Sequence, residues 1–210
     1  MDKQFAIFDM DGTLIDSMVF WRELTAEYLS SKGVRNIPAD ILERIKPMTL
    51  SESAALFKQE FGLTGDPKAE MTSMMDRHYR NDIPLKPGVR EYLSVLHERG
   101  VRMCVASATA EPLMEACLSR LGVREYFDFL LSCESVGAGK RSPEVYHESA
   151  RRLGAAPGEI VVYEDALYAL RTAKDAGYYA VAVYDDSSAE KWRTIAEIAD
   201  ETIINWEDLQ

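Results

Sequence analysis

Short apolar runs, rich in β-branched and aromatic residues, recur along the chain and alternate with longer segments that have helical periodicity. Short, uninterrupted apolar runs are typical of strands whose two faces are both covered by helices. The alternation therefore predicts an α/β fold built on a parallel sheet. The predicted strands are Phe5–Phe8, Val101–Ala106, Phe129–Ser132, Ile160–Tyr163 and Ala180–Tyr184.

Several segments between these runs carry signals for the beginning and the end of a helix. Proline or an acidic capping residue stands before the apolar periodicity, and in two cases glycine follows it. Proline is compatible with the first turn because the amide there has no partner within the helix. The helices predicted on these signals are 89–99, 143–153 and 166–176.

One long segment, residues 17–82, breaks the alternation. It contains no strand pattern, and its apolar residues recur at helical spacing, as in Phe20, Leu24 and Tyr28. Prolines and glycines separate the helical stretches, and the exit has the composition of a hinge. We therefore predict a helical domain of residues 17–82 inserted into an α/β core domain formed by residues 1–16 and 83–210.

Charge and composition exclude several classes of function. The net charge of −11 and the pI near 4.8 argue against binding to nucleic acid or to an anionic membrane, since both require a basic surface. Three cysteines without a CxxC pair indicate reduced thiols. No apolar run approaches the roughly 18 residues of a membrane span, and no signal peptide is recognisable. We expect a cytoplasmic protein that is a monomer or a weak dimer.

The most informative motif is Asp9-Met10-Asp11-Gly12-Thr13, which directly follows the first predicted strand. Ligands of open α/β sheets bind beyond the carboxyl ends of the strands, so Asp9 and Asp11 are expected at a binding site. The alternative is that both are turn or capping residues, which is common for single aspartates.

Polar residues also follow three later strands. Ser107 follows the second, Lys140 lies shortly after the third, and Glu164 and Asp165 follow the fourth. Taken singly, each has an ordinary structural explanation, such as a helix cap or a solvated lysine. Because a parallel sheet brings the carboxyl ends of its strands to one edge, we expect these side chains to meet Asp9 there.

In these residues the chain resembles the haloacid dehalogenase superfamily. The four motifs of that family match Asp9-x-Asp11-Gly12-Thr13, Ser107, Lys140 and Glu164-Asp165 in order. The resemblance implies a doubly wound, Rossmann-like core. It also implies that the helical insert is a cap domain that closes over the active site and contributes to the choice of substrate.

The resemblance implies a mechanism as well. Asp9 attacks the phosphorus of the substrate and forms an aspartyl-phosphate, and Asp11 protonates the leaving oxygen and later deprotonates the attacking water. Ser107 and the backbone amide of Ala108 hold the phosphoryl oxygens, while Lys140 neutralises charge.

The carboxylates would repel one another in a cleft that also receives a phosphate, unless a cation is bound among them. Mg²⁺ is the ion that the resemblance implies. The implied ligands are Asp9, the backbone carbonyl of Asp11, Asp165 and, directly or through water, Glu164.

The sequence thus predicts a Mg²⁺-dependent phosphatase that acts on a small phosphorylated metabolite. One alternative is a sugar-phosphate mutase of the β-phosphoglucomutase type. The positions where such mutases carry histidine, arginine and lysine hold Trp21, Leu50 and Ala110 here, which argues against that activity. Another alternative is a binding module without catalysis, whose usual mark is the loss of a motif residue. No motif residue is lost.

Two residues of the insert are candidates for contact with the organic part of the substrate. Trp21 lies one turn into a helix predicted over residues 17–31, close to the nucleophile loop, and Lys46 lies in a loop before Pro47. The alternatives are that Trp21 packs inside the cap and that Lys46 is a solvated surface lysine.

Overall fold

The computed structural model describes residues 3–45 and 48–209. Within these residues, six strands form one sheet in which every pairing is parallel. The parallel α/β fold that the sequence predicts is confirmed. The strands are β1 (Phe5–Phe8), β2 (Arg102–Ser107), β3 (Phe129–Ser132), β4 (Ile160–Glu164), β5 (Tyr179–Val183) and β6 (Glu201–Ile203).

Helices occupy most of the connections between the strands. Short 3₁₀ turns complete several of these connections. The α-helices in the described residues are α1 (Met18–Ser31), α2 (Ala39–Ile45), α3 (Leu50–Phe61), α4 (Pro67–Asn81), α5 (Val89–Glu98), α6 (Glu111–Arg120), α7 (Cys133–Val136), α8 (Glu144–Leu153), α9 (Leu167–Asp175) and α10 (Trp192–Ile198).

The strand order is β3-β2-β1-β4-β5-β6, so the first strand lies in the middle of the sheet. From β1 the chain adds β2 and β3 on one side and then returns to add β4, β5 and β6 on the other. The direction of winding therefore reverses beside β1. A crevice opens at the carboxyl end of such a switch point, where ligands of doubly wound sheets bind.

Alternate residues of β1 face opposite sides of the sheet and are buried on both. Ala6 and Phe8 pack in the core cluster that also contains buried residues of α5 and α6, whereas Ile7 packs in the cluster that contains α8. Burial on both faces explains why the sequence of this strand is an unbroken apolar run. It also leaves the carboxyl end of β1 in a fixed position between the two helical layers.

The insert between β1 and α5 consists of α1 to α4. α1 and α3 both pack against α4, and α4 packs in turn against the core helix α6. Local sequence signals begin two of these helices: Thr49 and Glu52 form a capping box at α3, and the Asp66 carboxylate accepts a hydrogen bond from the Ala69 amide at α4. A helical insert is thus confirmed, while its boundaries at residues 17 and 82 stay a prediction.

The two chain segments that enter and leave the insert lie side by side. The amide of Asp16 donates to the carbonyl of Pro84 at 3.0 Å, and the amide of Lys86 donates to the carbonyl of Leu14 at 3.0 Å. These two backbone hydrogen bonds pair the connections and give the insert a narrow attachment directly above β1.

The structure differs from the sequence prediction at several element ends. β2 and β5 are shifted by one residue from the predicted ranges, and β6 was not predicted. β6 is a short edge strand in which Glu201 and Thr202 are exposed, so it lacks the apolar run that marks the inner strands. Helix α9 begins at Leu167 with Ala166 as its capping residue, so Asp165 is not the N-cap.

Among the described residues, the helices are all too short or too polar to cross a membrane. Cys104, Cys117 and Cys133 are buried free thiols, in keeping with the reduced thiols that the sequence indicates.

Candidate active site

The site is built on the loop that follows β1. The amide of Asp9 donates to the carbonyl of Tyr163 at 2.9 Å, which extends the pairing of β1 with β4 by one residue. Gly12 has a φ of +82°, a backbone conformation that glycine adopts without strain. The turn directs Asp9 toward the crevice at the switch point. Asp9 is only 6% exposed there.

Lys140 lies between two buried carboxylates. Its Nζ donates to Oδ1 of Asp9 and to Oε1 of Glu164, the latter at 2.6 Å. The hydroxyl of Tyr146 donates to the same Glu164 oxygen at 2.7 Å. Each of these residues is buried. Lys140 is therefore held by two opposite charges and cannot turn toward solvent without leaving them unpaired.

Burial dominates the electrostatics of this cluster. It raises the pKa of Asp9 to about 7; the ammonium of Lys140 lowers that pKa, and the charges of Glu164 and Asp11 raise it. Burial, followed by the charges of Asp9 and Glu164, also raises the pKa of Asp165 well above its ordinary value. Burial alone would lower the pKa of Lys140, but Asp9 and Glu164 outweigh it and raise that pKa well above its ordinary value.

Asp9, Glu164 and Asp165 form an acidic cluster that can hold a metal ion. Each contributes one carboxylate oxygen, and the three oxygens lie within 4.8 Å of one another. Lys140 supplies one positive charge to three buried carboxyl groups, so negative charge is in excess when all three are ionised. Oxygen ligands and excess negative charge suit a hard divalent cation. The side chain of Asp11 is not part of this cluster.

Asp165 is packed tightly against the first motif. The hydroxyl of Thr13 donates to Oδ1 of Asp165 at 3.3 Å, and Gly12 leaves space for the other oxygen. A Cβ atom at Gly12 would lie 2.6 Å from Oδ2 of Asp165. The absence of a side chain at position 12 therefore permits the approach of this carboxylate.

The carboxylate of Asp11 points toward the insert and receives five hydrogen bonds. Oδ1 accepts from Ser17 at 2.6 Å, from Tyr79 at 2.8 Å and from the indole of Trp21 at 3.2 Å. Oδ2 accepts from Thr109 at 2.7 Å and from Ser107 at 3.5 Å. Donors from both the insert and the core thus fix the orientation of Asp11.

Ser107 and Ala108 lie at the end of β2, where the sequence predicts contacts with phosphoryl oxygens. Ser107 is 1% exposed, and its hydroxyl accepts a hydrogen bond from the amide of Thr109 at 3.1 Å. Ala108 lines the same cavity as Asp9. The structure therefore brings both residues to the crevice, and their binding roles remain predictions.

A cavity of about 870 Å³ opens above these residues, between the insert and the core. Trp21 lies in its wall, with its N–H directed to Asp11 and, at 2.9 Å, to the hydroxyl of Tyr79. Replacing Trp21 would thus disturb Asp11 as well as any substrate contact. Lys46, the other candidate, lies outside the described residues.

Two ion pairs connect the insert and the core across the cavity. Nζ of Lys68 lies 2.5 Å from Oε2 of Glu134, and Nζ of Lys191 lies 2.7 Å from Oε2 of Glu43. The hydroxyl of Ser51 also donates to Glu134, at 2.8 Å. Partial burial raises the pKa of Glu134, but hydrogen bonds from Lys68 and Ser51 outweigh this effect and lower it below its ordinary value.

Sequence reasoning did not find several of the residues that contact the site, among them Tyr79, Thr109 and Tyr146. Tyr79 continues the apolar stripe of Met71 and Met75 along α4, so its spacing indicates only packing. Thr109 lies two residues after Ser107, and this proximity along the chain could have predicted its place at the site. Tyr146 occurs within a helix of ordinary amphipathic pattern, and nothing near it in the sequence relates it to Glu164.

Comparison with known proteins agrees with this geometry. A family model described as haloacid dehalogenase-like hydrolase matches residues 4–177. Hexitol phosphatase B of Escherichia coli K12 is 29% identical over 182 residues, which cover 85% of this chain and 82% of that protein. Fructose-1-phosphate phosphatase YqaB of the same organism is 31% identical over 184 residues, which cover 84% and 94%.

A solved structure extends the likeness to the whole fold. The crystal structure of CbbY from Rhodobacter sphaeroides in complex with phosphate has a TM-score of 0.82 to this chain and is 26% identical in sequence. The superposition covers 99% of this chain and 96% of that one.

Proposed function

The chain belongs to the haloacid dehalogenase-like hydrolases and is a phosphoric monoester hydrolase, and we propose that it is a Mg²⁺-dependent phosphatase acting on a small phosphorylated sugar or sugar alcohol. The observation that carries the proposal is the buried pairing of Asp9 with Lys140 at the switch point of the sheet. The names of the similar phosphatases support the substrate class.

In the proposed reaction, a carboxylate oxygen of Asp9 attacks phosphorus in line with the leaving group. The bond from phosphorus to the leaving oxygen breaks, and Asp11 gives that oxygen a proton. Water then attacks the aspartyl-phosphate, Asp11 takes up a proton from it, and inorganic phosphate leaves. Lys140, Ser107 and the amide of Ala108 counter the charge on the phosphoryl oxygens.

The acidic cluster would hold the cation. Its ligands would be Asp9, Asp165 and the backbone carbonyl of Asp11, with Glu164 binding directly or through water. A bound Mg²⁺ neutralises charge on the phosphoryl group and on the carboxylates. The excess of buried negative charge beside Lys140 supports this assignment, because it is costly without a cation.

We also propose that residues 17–82 act as a cap over the core of residues 1–16 and 83–210. The paired connections at Asp16 and Pro84 provide a narrow attachment, and the cavity lies between the two parts. Closure of such a cap excludes water from the phosphoryl-transfer site. Contact of Trp21 and Lys46 with the substrate remains part of this proposal.

The test is release of inorganic phosphate from a panel of sugar, sugar-alcohol, glycerol and nucleoside phosphates, with Mg²⁺ and with EDTA. We expect turnover that depends on Mg²⁺ and favours the sugar and sugar-alcohol esters. In Asp9→Asn, the matched control, turnover should fall more than about a thousandfold. No phosphate release from any ester, or undiminished turnover by Asp9→Asn, would refute the proposal. Isomerisation of a sugar phosphate without phosphate release would indicate a mutase.

A further inference from the structure

Tyr79 of the insert reaches the acid–base residue of the core. It lies near the end of α4 and is completely buried. Its hydroxyl donates to Oδ1 of Asp11 at 2.8 Å and accepts from the indole N–H of Trp21 at 2.9 Å. Burial raises the pKa of Tyr79 well above its ordinary value, and the charge of Asp11 adds to this effect. Because an ionised carboxylate can only accept and an indole N–H can only donate, the hydroxyl donates to Asp11 and accepts from Trp21.

The backbone of Tyr79 is also tied to the core. Its carbonyl is among the last of α4, which have no partner within the helix. Nε of Arg120, on α6, donates to this carbonyl at 2.9 Å, and the same guanidinium donates to the carbonyl of Ile83. A cation at the carboxyl end of a helix is also favoured by the helix dipole. Tyr79 is thus held at both its main chain and its side chain.

The hydroxyls of Tyr79 and Thr109 lie 3.1 Å apart, and each contacts a different oxygen of Asp11. Each hydroxyl has one proton. The shorter contacts, to Asp11, take both protons when the carboxyl group is ionised. When Oδ2 carries a proton, it can donate to Thr109, whose own proton then turns to the oxygen of Tyr79. Tyr79 still donates to Oδ1, so the pair accommodates both protonation states of Asp11.

We propose that Tyr79 is a positioning residue for acid–base catalysis, which holds Asp11 in the orientation needed to protonate the leaving oxygen. This inference rests on the proposed phosphatase function. It assigns to a buried residue of the insert a role in the chemical step, in addition to its packing in α4.

Substrates with different leaving groups distinguish a positioning role of Tyr79 from a packing role. An alkoxide is a poor leaving group and needs a proton from Asp11 as the bond to phosphorus breaks, whereas a p-nitrophenolate leaves without one. The ratio kcat/KM covers the steps up to departure of the leaving group and excludes later hydrolysis of the aspartyl-phosphate. Loss of positioning should therefore lower kcat/KM for an alkyl ester much more than for the aryl ester.

The experiment compares Tyr79→Phe with the wild type on the alkyl phosphate of the panel that the wild type hydrolyses fastest and on p-nitrophenyl phosphate, both with Mg²⁺. We expect kcat/KM for the alkyl ester to fall about tenfold or more, with a change below about threefold for the aryl ester. The matched control is Tyr92→Phe, which removes a phenol hydroxyl that lies 2.7 Å from that of Tyr163, in the core. It should leave the ratio of the two values unchanged.

A second variant, Thr109→Val, removes the other hydroxyl of the pair and should show the same dependence on the leaving group. Equal losses on both esters, or no loss on either, in a Tyr79→Phe protein with a normal melting transition would overturn the inference. If Tyr79→Phe does not fold, Thr109→Val decides on the same criterion. A wild-type protein that hydrolyses no alkyl phosphate of the panel would instead refute the proposed function, so the two failures are distinguishable.

Discussion

Gly12 and Asp165 approach so closely that a Cβ atom at position 12 would lie 2.6 Å from Oδ2 of the aspartate. Position 12 therefore needs a residue that adopts a φ of +82° and leaves space for a carboxylate of the acidic cluster. Gly154, at the end of α8, has a similar φ of +75° but no atom within 4 Å of such a Cβ. Alanine substitutions at these two glycines therefore distinguish the effect of backbone strain from the effect of displacing Asp165.

Gly12→Ala should lower the free energy of unfolding and also weaken the response to Mg²⁺. Gly154→Ala should lower the free energy of unfolding through strain alone, by about 1–3 kcal/mol. Its Mg²⁺ dependence should be unchanged. Denaturant unfolding and Mg²⁺ titration of activity measure the two effects. If both variants need the same Mg²⁺ concentration as the wild type, the close approach of Asp165 has no role in the metal site.

Asp9→Asn should stabilise the metal-free protein at neutral pH. Burial raises the pKa of Asp9 from 3.8 to about 7, so between these pH values the unfolded chain loses a proton that the native protein keeps. The native state binds more protons in this window, and the stability of the wild type therefore falls as the pH rises through it. The gain in free energy of unfolding from Asp9→Asn should be absent near pH 4 and complete above about pH 7.

Unfolding in EDTA at a series of pH values measures this gain as the difference between Asp9→Asn and the wild type. The difference cancels the titration of groups that both proteins share. A difference that is independent of pH, or that grows toward acid, would contradict the raised pKa of Asp9.

Asp165→Asn should raise the Mg²⁺ concentration for half-maximal activity by about tenfold or more, because a charged oxygen ligand becomes neutral. Without metal the same change should not lower the melting temperature, since burial and the neighbouring carboxylates already raise the pKa of Asp165. Titration calorimetry with Mg²⁺ alone provides a readout that does not depend on turnover. Unchanged Mg²⁺ affinity would exclude Asp165 as a ligand.

Glu134 accepts hydrogen bonds from Ser51 and Lys68 of the insert across the cavity. We expect these contacts to favour closure of the proposed cap, so Glu134→Gln should raise KM for a sugar phosphate a few-fold. Added salt should raise KM of the wild type and reduce its advantage over the variant, since salt screens the ion pair. The control is Glu43→Gln. Its pair with Lys191 is about half exposed on both sides, so we expect a smaller effect. Similar KM values for the wild type and Glu134→Gln at low salt would show that the contact does not favour closure.

Much of the core followed from local patterns. The inner strands are buried on both faces, so their apolar runs are unbroken and stand out from the amphipathic helices, as at Ile160–Glu164. The edge strand Glu201–Ile203 lacks this signal because two of its residues face solvent. Asp9, Lys140 and Asp165 could be grouped in advance, since parallel strands bring their carboxyl ends to one edge of the sheet.

The sequence by itself determined the fold class, the helical insert and the set of charged residues at the strand ends, because each of these depends on periodicity or on position along the chain. Only the tertiary structure decided which residues surround Asp11. Tyr79 meets it at 2.8 Å across 68 positions of sequence, through the packing of α4 on the core helix α6. Such a contact depends on how two amphipathic helices pack, and the apolar stripe that buries Tyr79 is the same whether its hydroxyl has a partner or not.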